Sequence, residues 1–468
     1  MKTDMESEFE AGAPGHAPHG KGELPTAVVV GVKLPGTDTL DFESGLDELE
    51  RLLTTLGYRP VGRVIQLREH LSPAAVLGEG KLKELAALTG GSGRTARVSS
   101  RKRSKAQLRW AEEAGTAEAE EDEDSEPDPS RVALVAVDHE LSPSQLRNLE
   151  RAVGTQVLDR AGVIIEIFSR HARTREARLQ VEMARLSYLA PRVRESPSGK
   201  ERQAGRGAGE AAIELDRRRI RDRLAELREQ LAEVQREQGV RRAQRRELRR
   251  VALVGYTNAG KSSLMRALTD SAVEVEDRLF KTLDTTVRAL KPEAKPRVLV
   301  SDTVGFIKKL PHDLVASFKS TLDEALEASL LLFIVDAADP SWEAQLTVAR
   351  DVIREIGAEG TPSRVVMNKV DRLNSNERAA LERANPEAWF VSAHDPKDVA
   401  KMRDDIVTFF EQSFITVELV IPYNVQGFVS DLYESCRVEK EAYEEDGVHV
   451  RFRADPAFVA RFREKLST

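Results

Sequence analysis

Four apolar residues, 251–254 (VALV), run straight into Gly255, and the chain continues Tyr256-Thr257-Asn258-Ala259-Gly260-Lys261-Ser262-Ser263 before an apolar stretch, LMRAL. A strand that ends on G-x-x-x-x-G-K-S and hands over to a helix is a phosphate loop in its proper context, and it commits this part of the chain to an α/β fold. The glycines let successive backbone N–H groups turn toward phosphate oxygens, and the helix N-terminus adds the positive end of its dipole. Lys261 is then placed to reach the β- and γ-phosphates, and Ser262 to ligate Mg²⁺.

Further pieces follow in the order such a fold requires. The strand 297–300 (RVLV) leads into Ser301-Asp302-Thr303-Val304-Gly305, where Asp302 can hold Mg²⁺ through water and the Gly305 N–H can contact the γ-phosphate. Two more buried strands are expected at 330–335 (LLLFIV) and 364–367 (RVVM), the second ending in Asn368-Lys369-Val370-Asp371. The Asp371 carboxylate can accept hydrogen bonds from N1 and the 2-amino group of guanine, and a site built on such a buried pair discriminates by up to about 10⁴–10⁵. After AWFV, Ser392-Ala393 can place a backbone N–H at the guanine O6. The reading is a GTP-binding domain.

At 468 residues the chain is long enough for about three domains. Hydrophobic residues at 40% supply a core, which rules out wholesale disorder, and the single cysteine, Cys436, excludes an internal disulfide framework or a cysteine-based zinc site. A reducing compartment fits. The acidic start, MKTDMESEFEAGAPGHAPHG, has no apolar core, and no stretch approaches the roughly 18 apolar residues that span a bilayer. The expectation is a cytoplasmic protein without a membrane span, and a monomer.

Residues 1–26 read as a disordered lead-in. Strand character at 27–34 (AVVVGVKL), helical spacing over 42–56 and strand character at 61–67 predict a parallel βαβ unit, with a helix over 80–88, a strand over 131–137 and a helix opening at Ser142-Pro143. A segment at about 90–130, basic around Arg101–Lys105 and acidic over 118–126, reads as a disordered insertion, either a plain solvated loop or an electrostatic tether or autoinhibitory nucleic-acid mimic. Downstream, Leu179, Met183, Leu186 and Ala190 share a helical stripe ended by Pro191, and Ile220, Leu224, Leu227, Leu231 and Val234 form a heptad seam. Two such helices should pack as an antiparallel hairpin. The second carries a face dense in arginine, which is either a solvated surface laced with ion pairs or a phosphate-binding one. The tail from 415 reads as a small α/β appendage with an acidic patch.

These strings bear a specific resemblance. GYTNAGKSS, LFKTLDTTVR, DTVGF, and upstream DHELSPSQLRNLE, LDRAGVIIEIFSRHARTREARLQVEMARLSYLAPR and RGAGEAAIELDRRRIRDRLAEL are similar to the HflX family of translational GTPases, from about Ala27 to the C-terminus. The resemblance implies an N-terminal α/β domain (27–170), an RNA-facing helical hairpin (171–250), a P-loop GTPase domain (251–414) and a small C-terminal α/β domain (415–468). It implies binding to the large ribosomal subunit and its rRNA, and splitting of stalled or hibernating ribosomes, with Arg206, Arg217, Arg218, Arg219 and Arg221 as the RNA contacts. The first switch falls over 279–288, with Thr282 sensing Mg²⁺ and the γ-phosphate and Thr286 as the second candidate; the second begins at Asp302, and GTP binding takes in Thr303 and Val304. Phe306 stands where Ras-like enzymes carry the glutamine that orients water. Intrinsic hydrolysis should therefore be slow. Asn258 matches an asparagine that helps hold a potassium ion in some related GTPases, a loop-bracing role being the alternative. The glycine-rich ERQAGRGAGE is shorter than the family's run, and Thr285 replaces a proline. Gly78-Glu79-Gly80-Lys81 resembles a signature of a domain credited in some members with ATP hydrolysis; a glycine-braced helix start accounts for it equally. The alternatives are a ribosome-assembly or RNA-maturation GTPase, and a scaffold with structural nucleotide.

Overall fold

The computed structural model describes residues 24–95, 132–192, 208–243, 249–270, 279–280, 286–294, 297–303, 305–308, 324–425 and 427–467. The lead-in over 1–23, most of the charged insertion, the glycine-rich tip with Arg206, and Thr282, Thr285 and Val304 lie outside the described residues. The chain forms two compact units, 1–159 and 160–468.

The first unit holds β1 (Thr26–Lys33), α1 (Thr39–Thr55), β2 (Arg59–Leu67), α2 (Glu79–Thr89), β3 (Leu134–Val137), α3 (Pro143–Val153) and β4 (Gln156–Asp159). Its sheet is parallel throughout, in the order β2-β1-β3-β4. β1 and β3 are unbroken apolar runs because they are the inner strands, buried on both faces. α3 begins where the sequence says it should: Ser142 accepts from the Gln145 N–H, Gln145 returns the bond, and Pro143 occupies the first turn. β4 carries no sequence signal of its own, being four residues long with only two buried.

The second unit opens with α4 (Arg160–His171), α5 (Arg175–Leu189) and α6 (Ala208–Ala243). The sequence reading expects an N-terminal domain over 27–170; the first compact unit comprises 1–159, and α4, which opens the second, packs along α5. α5 and α6 bury Leu179, Leu186, Ile220, Leu227 and Val234 together, the stripe and the seam read from spacing. Arg223 bridges the pair, its guanidinium 2.8 Å from Glu182.

Next come β5 (Arg249–Gly255), α7 (Lys261–Thr269), β6 (Thr286–Ala289), β7 (Val298–Asp302), β8 (Leu330–Asp336), α8 (Trp342–Glu355), β9 (Ser363–Asn368), α9 (Ser375–Ala384), β10 (Trp389–Phe390) and α10 (Pro396–Glu411). The sheet order is β10-β9-β8-β5-β7-β6, with only β6 antiparallel to its neighbour. From β5 the chain goes first to one side (β7) and then to the other (β8). That is a topological switch point, and ligands of open α/β sheets sit in the crevice at its strand C-termini. β5 ends at Gly255 and β7 at Asp302, flanking that crevice.

The last elements are β11 (Ile415–Ile421), α11 (Gly427–Ser435), β12 (Arg437–Glu444), β13 (Gly447–Ala454) and α12 (Pro456–Ser467), with an antiparallel sheet β11-β13-β12. Leu432 and Phe462 pack on Val448, Val450 and Phe452. Cys436 is buried here, and burial pushes its thiol up to about 12, which leaves it inert. Among the described residues no helix is long and apolar enough to cross a membrane.

The seam makes the hairpin testable. Leu227→Ala, at a fully buried position, should lower the local opening free energy of 179–186 and 220–234 by about 2–5 kcal/mol. Hydrogen exchange resolved along the chain reads this directly.

Candidate functional site

Gly255 ends β5 at φ +148°, and an added Cβ there would sit 2.2 Å from the Ile334 carbonyl oxygen. Only glycine fits. The loop it starts wraps around the side chain of Lys261, whose buried ammonium donates to the carbonyls of Gly255 (3.0 Å) and Tyr256 (2.7 Å). Burial pushes this lysine down to about 8, against the pull of the nearby Asp302 carboxylate. An anion arriving at the loop would restore the charge, so the arrangement is poised for phosphate.

Asp302, at the end of β7, is brought to the loop by its Oδ2, which accepts from the Ser262 hydroxyl at 2.7 Å. A hydroxyl and a carboxylate this close are the hard oxygen donors that a small divalent cation such as Mg²⁺ takes. Thr303 is held away from solvent, its hydroxyl donating to the Leu253 carbonyl at 2.8 Å. Beyond it the chain docks on the loop as a short parallel bridge: Thr257 N–H to Phe306 O at 2.8 Å, Phe306 N–H to Gly255 O at 3.1 Å. At Gly305 an added Cβ would lie 2.7 Å from Thr257 Cγ2 and 3.1 Å from Lys261 Nζ, so the bare backbone is what lets this segment approach the lysine. The Thr257 hydroxyl is buried and has no hydrogen-bond partner among the described residues. Phe306 is itself only 2% exposed. It offers neither a polar group nor a side chain to the space above the loop.

The segment expected to read the base is tied to the same loop. Asn368 donates from Nδ2 to the Ala259 carbonyl (2.9 Å), and its Oδ1 accepts from the Ala393 N–H (3.2 Å). Lys369 donates to the Asn258 carbonyl and to Asp336, both at 2.7 Å. Asn258 thus braces through its backbone, in a left-handed conformation at φ +60°. Asp371 accepts from the Ser392 hydroxyl at 2.6 Å, a bond that holds its carboxyl below the usual range and keeps it an acceptor. Of the two backbone donors expected at this end, Ser392 N–H is committed to Asp398 at 2.9 Å. Ala393, with its longer bond, is the one placed to serve an incoming carbonyl.

Sequence reasoning missed several of these partners. Asp336 orients Lys369, and the Tyr256 hydroxyl accepts from the Lys308 N–H at 2.7 Å. Neither belongs to a local motif. Away from the loop, Arg218 and Arg221 of α6 are exposed and Arg217 is half-buried, each in an ion pair with its own helix: Arg217 and Arg221 with Glu214 (3.7 and 3.4 Å), Arg218 with Asp222 (3.9 Å). Arg219 is exposed beside them.

Two outcomes follow from this geometry. Asp371→Asn replaces an acceptor by an amide that offers a donor to the guanine edge, and should weaken GDP binding by at least about 100-fold in calorimetry. Because Lys261 is largely neutral above about pH 8 and phosphate favours its charged form, nucleotide binding should take up a proton there. Affinity should then fall by up to about tenfold per pH unit above that point, and the heat should vary with the buffer's ionisation enthalpy.

Known proteins match this chain along its length. A family described as the GTP-binding GTPase N-terminal region matches residues 43–119 and 113–169, the GTP-binding GTPase Middle Region matches 171–245, and the 50S ribosome-binding GTPase family matches 250–369. GTPase HflX of Gluconacetobacter diazotrophicus is 58% identical over 448 residues, 96% of this chain and 99% of that one. GTPase HflX of Escherichia coli is 35% identical over 419 residues, 88% of this chain and 89% of that one. A solved GTP-binding protein from Sulfolobus solfataricus, in complex with GDP, aligns over 83% of this chain and 99% of its own at 20% identity, with a TM-score of 0.42. With relatives this similar over almost their full length, the chain belongs to the HflX family of GTPases.

Proposed function

We propose that this GTPase binds the large ribosomal subunit through its N-terminal part and its arginine-rich hairpin, parts stalled or hibernating ribosomes into subunits while GTP is bound, and leaves after hydrolysis. The observation that carries the reading is continuity. The exposed arginine face lies on α6, which ends at Ala243, and β5, the strand that becomes the phosphate loop, starts at Arg249. One short stretch of chain therefore joins the cationic surface to the nucleotide. The match of 250–369 to a family described as 50S ribosome-binding supports the same partner.

The domains of this scheme are those of the sequence reading: 27–170, 171–250, 251–414 and 415–468. Residues 255–263 and Gly305 take the phosphates, Asn368, Lys369, Asp371, Ser392 and Ala393 the guanine, and Ser262, Asp302 and Thr282 the Mg²⁺. The cation, when bound, neutralises charge on the phosphate oxygens. Lys261 supplies a second positive charge, and the backbone N–H groups of the loop hold the terminal phosphate in place. Attack on that phosphate also needs an oriented water. Phe306 provides no donor or acceptor for one, so turnover is slow until the ribosome completes the site. A cytoplasmic protein acting on ribosomes needs no membrane span.

Moving a population from 1:99 to 99:1 takes about 5.5 kcal/mol of differential binding. γ-Phosphate contacts and RNA contacts jointly supply it. Cosedimentation with large subunits should be strong with a non-hydrolysable GTP analogue and weak with GDP, and GTP turnover should rise when subunits are added. On a density gradient, 70S particles should separate into subunits only in the triphosphate state. Equal sedimentation in both states would sink the switch, and binding confined to precursor particles would point to assembly instead.

A further inference from the structure

Two segments flanking the phosphate loop are touched by one helix that lies outside the nucleotide-binding sheet. Arg160, at the start of α4 and 2% exposed, donates from Nε to the Lys308 carbonyl at 3.1 Å. The Lys308 N–H in turn donates to the Tyr256 hydroxyl at 2.7 Å. Lys308 is thus gripped on both sides, by a phosphate-loop side chain and by α4. With Phe306 already bridged to Gly255 and Thr257, the chain after Asp302 is fixed at alternate residues.

Two turns along the same helix, Phe168 meets the ring of Phe280 edge-on, centroids 4.7 Å apart at 81°. Phe280 is 3% exposed and sits at φ +57°. A bulky aromatic residue held in the left-handed region costs about 1–3 kcal/mol, and such a conformation persists where surrounding packing over-determines it. Phe168 supplies part of that packing. Phe280 precedes the KTLDTTVR stretch on one side of the nucleotide, and Lys308 follows DTVGF on the other. α4 therefore holds the near end of one switch and the far side of the other.

We propose that Arg160 and Phe168 are positioning residues for GTP hydrolysis. Resting on the GTPase reading of the site, they set the two switch segments against the phosphate loop without touching the nucleotide. A nucleotide diphosphate, read by the loop and by Asp371, does not need them; the triphosphate state does. The next helix, α5, begins at Arg175 behind a Thr174 cap. The same two contacts consequently give the switches a direct path into the hairpin.

The test uses the full chain carrying Arg160→Gln, Arg160→Lys or Phe168→Leu, with GDP affinity, GTP-analogue affinity, kcat and KM measured for each. Arg160→Gln and Phe168→Leu should lose about tenfold in kcat and in analogue affinity while GDP affinity stays within about twofold. Arg160→Lys, which keeps a donor for the Lys308 carbonyl, should recover most of the loss. Combined with Tyr256→Phe, the Arg160→Gln defect should be less than additive, since both grips act on Lys308. Equal losses of GDP and analogue affinity would make the residues merely structural, and unchanged kcat would remove their role; either result overturns the proposal. Should Arg160→Gln fail to fold, Arg160→Lys and Phe168→Leu carry the comparison. A wild-type chain without GTP turnover would overturn the underlying reading, whereas wild-type turnover with unaffected variants overturns only the positioning.

Discussion

A buried ammonium has to find oxygen, and at Lys261 the nearest oxygens are the carbonyls of the loop that precedes it. By donating to Gly255 and Tyr256, the lysine curls its own loop and turns those carbonyls inward. The cost of burying the charge shows in the depressed proton affinity of the group. A phosphate offsets that cost where a neutral ligand could not. Selectivity for an anion is in this sense a property of the fold before any ligand arrives.

Everything else at the site attaches to the curled loop. Ser262 takes Asp302, Gly255 and Thr257 take Phe306, Ala259 takes Asn368, and Asn258 takes Lys369. The segment expected to read the base and the loop expected to hold phosphate are therefore tied through one set of backbone groups, although they lie more than a hundred positions apart in sequence. The Lys369–Asp336 pair is mostly buried, which makes its geometry strict. Removing one partner would leave a charge stranded, the expensive outcome for such pairs.

How much of this is legible in sequence depends on whether the signal is local. β5, β7 and β8 are visible as apolar runs because inner strands of a parallel sheet are buried on both faces, and β9 through its buried second half. β6 and β12 are not: TVRA and RVEKEAYE sit at sheet edges with most side chains at least partly exposed, and no core dictates their composition. The heptad seam of α6 announces the hairpin, since Ile220, Leu227 and Val234 need a partner wherever they fold. Motif residues such as Lys261 and Asp371 are read from spacing alone. Arg160, Phe168 and the Tyr256 hydroxyl are beyond such reading, because each acts on a residue brought near only by the tertiary fold.

The arginine face of α6 poses a different energetic question. Arg218 and Asp222 are both 75% exposed in side chain and 3.9 Å apart, and Arg221 reaches Glu214 at 3.4 Å. Exposed pairs of this kind are worth about 0–1 kcal/mol each. Pairs this weak are easily outcompeted by a phosphate that accepts two hydrogen bonds from one guanidinium. On the proposed reading, a polyanion would displace these weak pairs, and the exchange would be sensitive to salt, since each phosphate neutralised releases counterions.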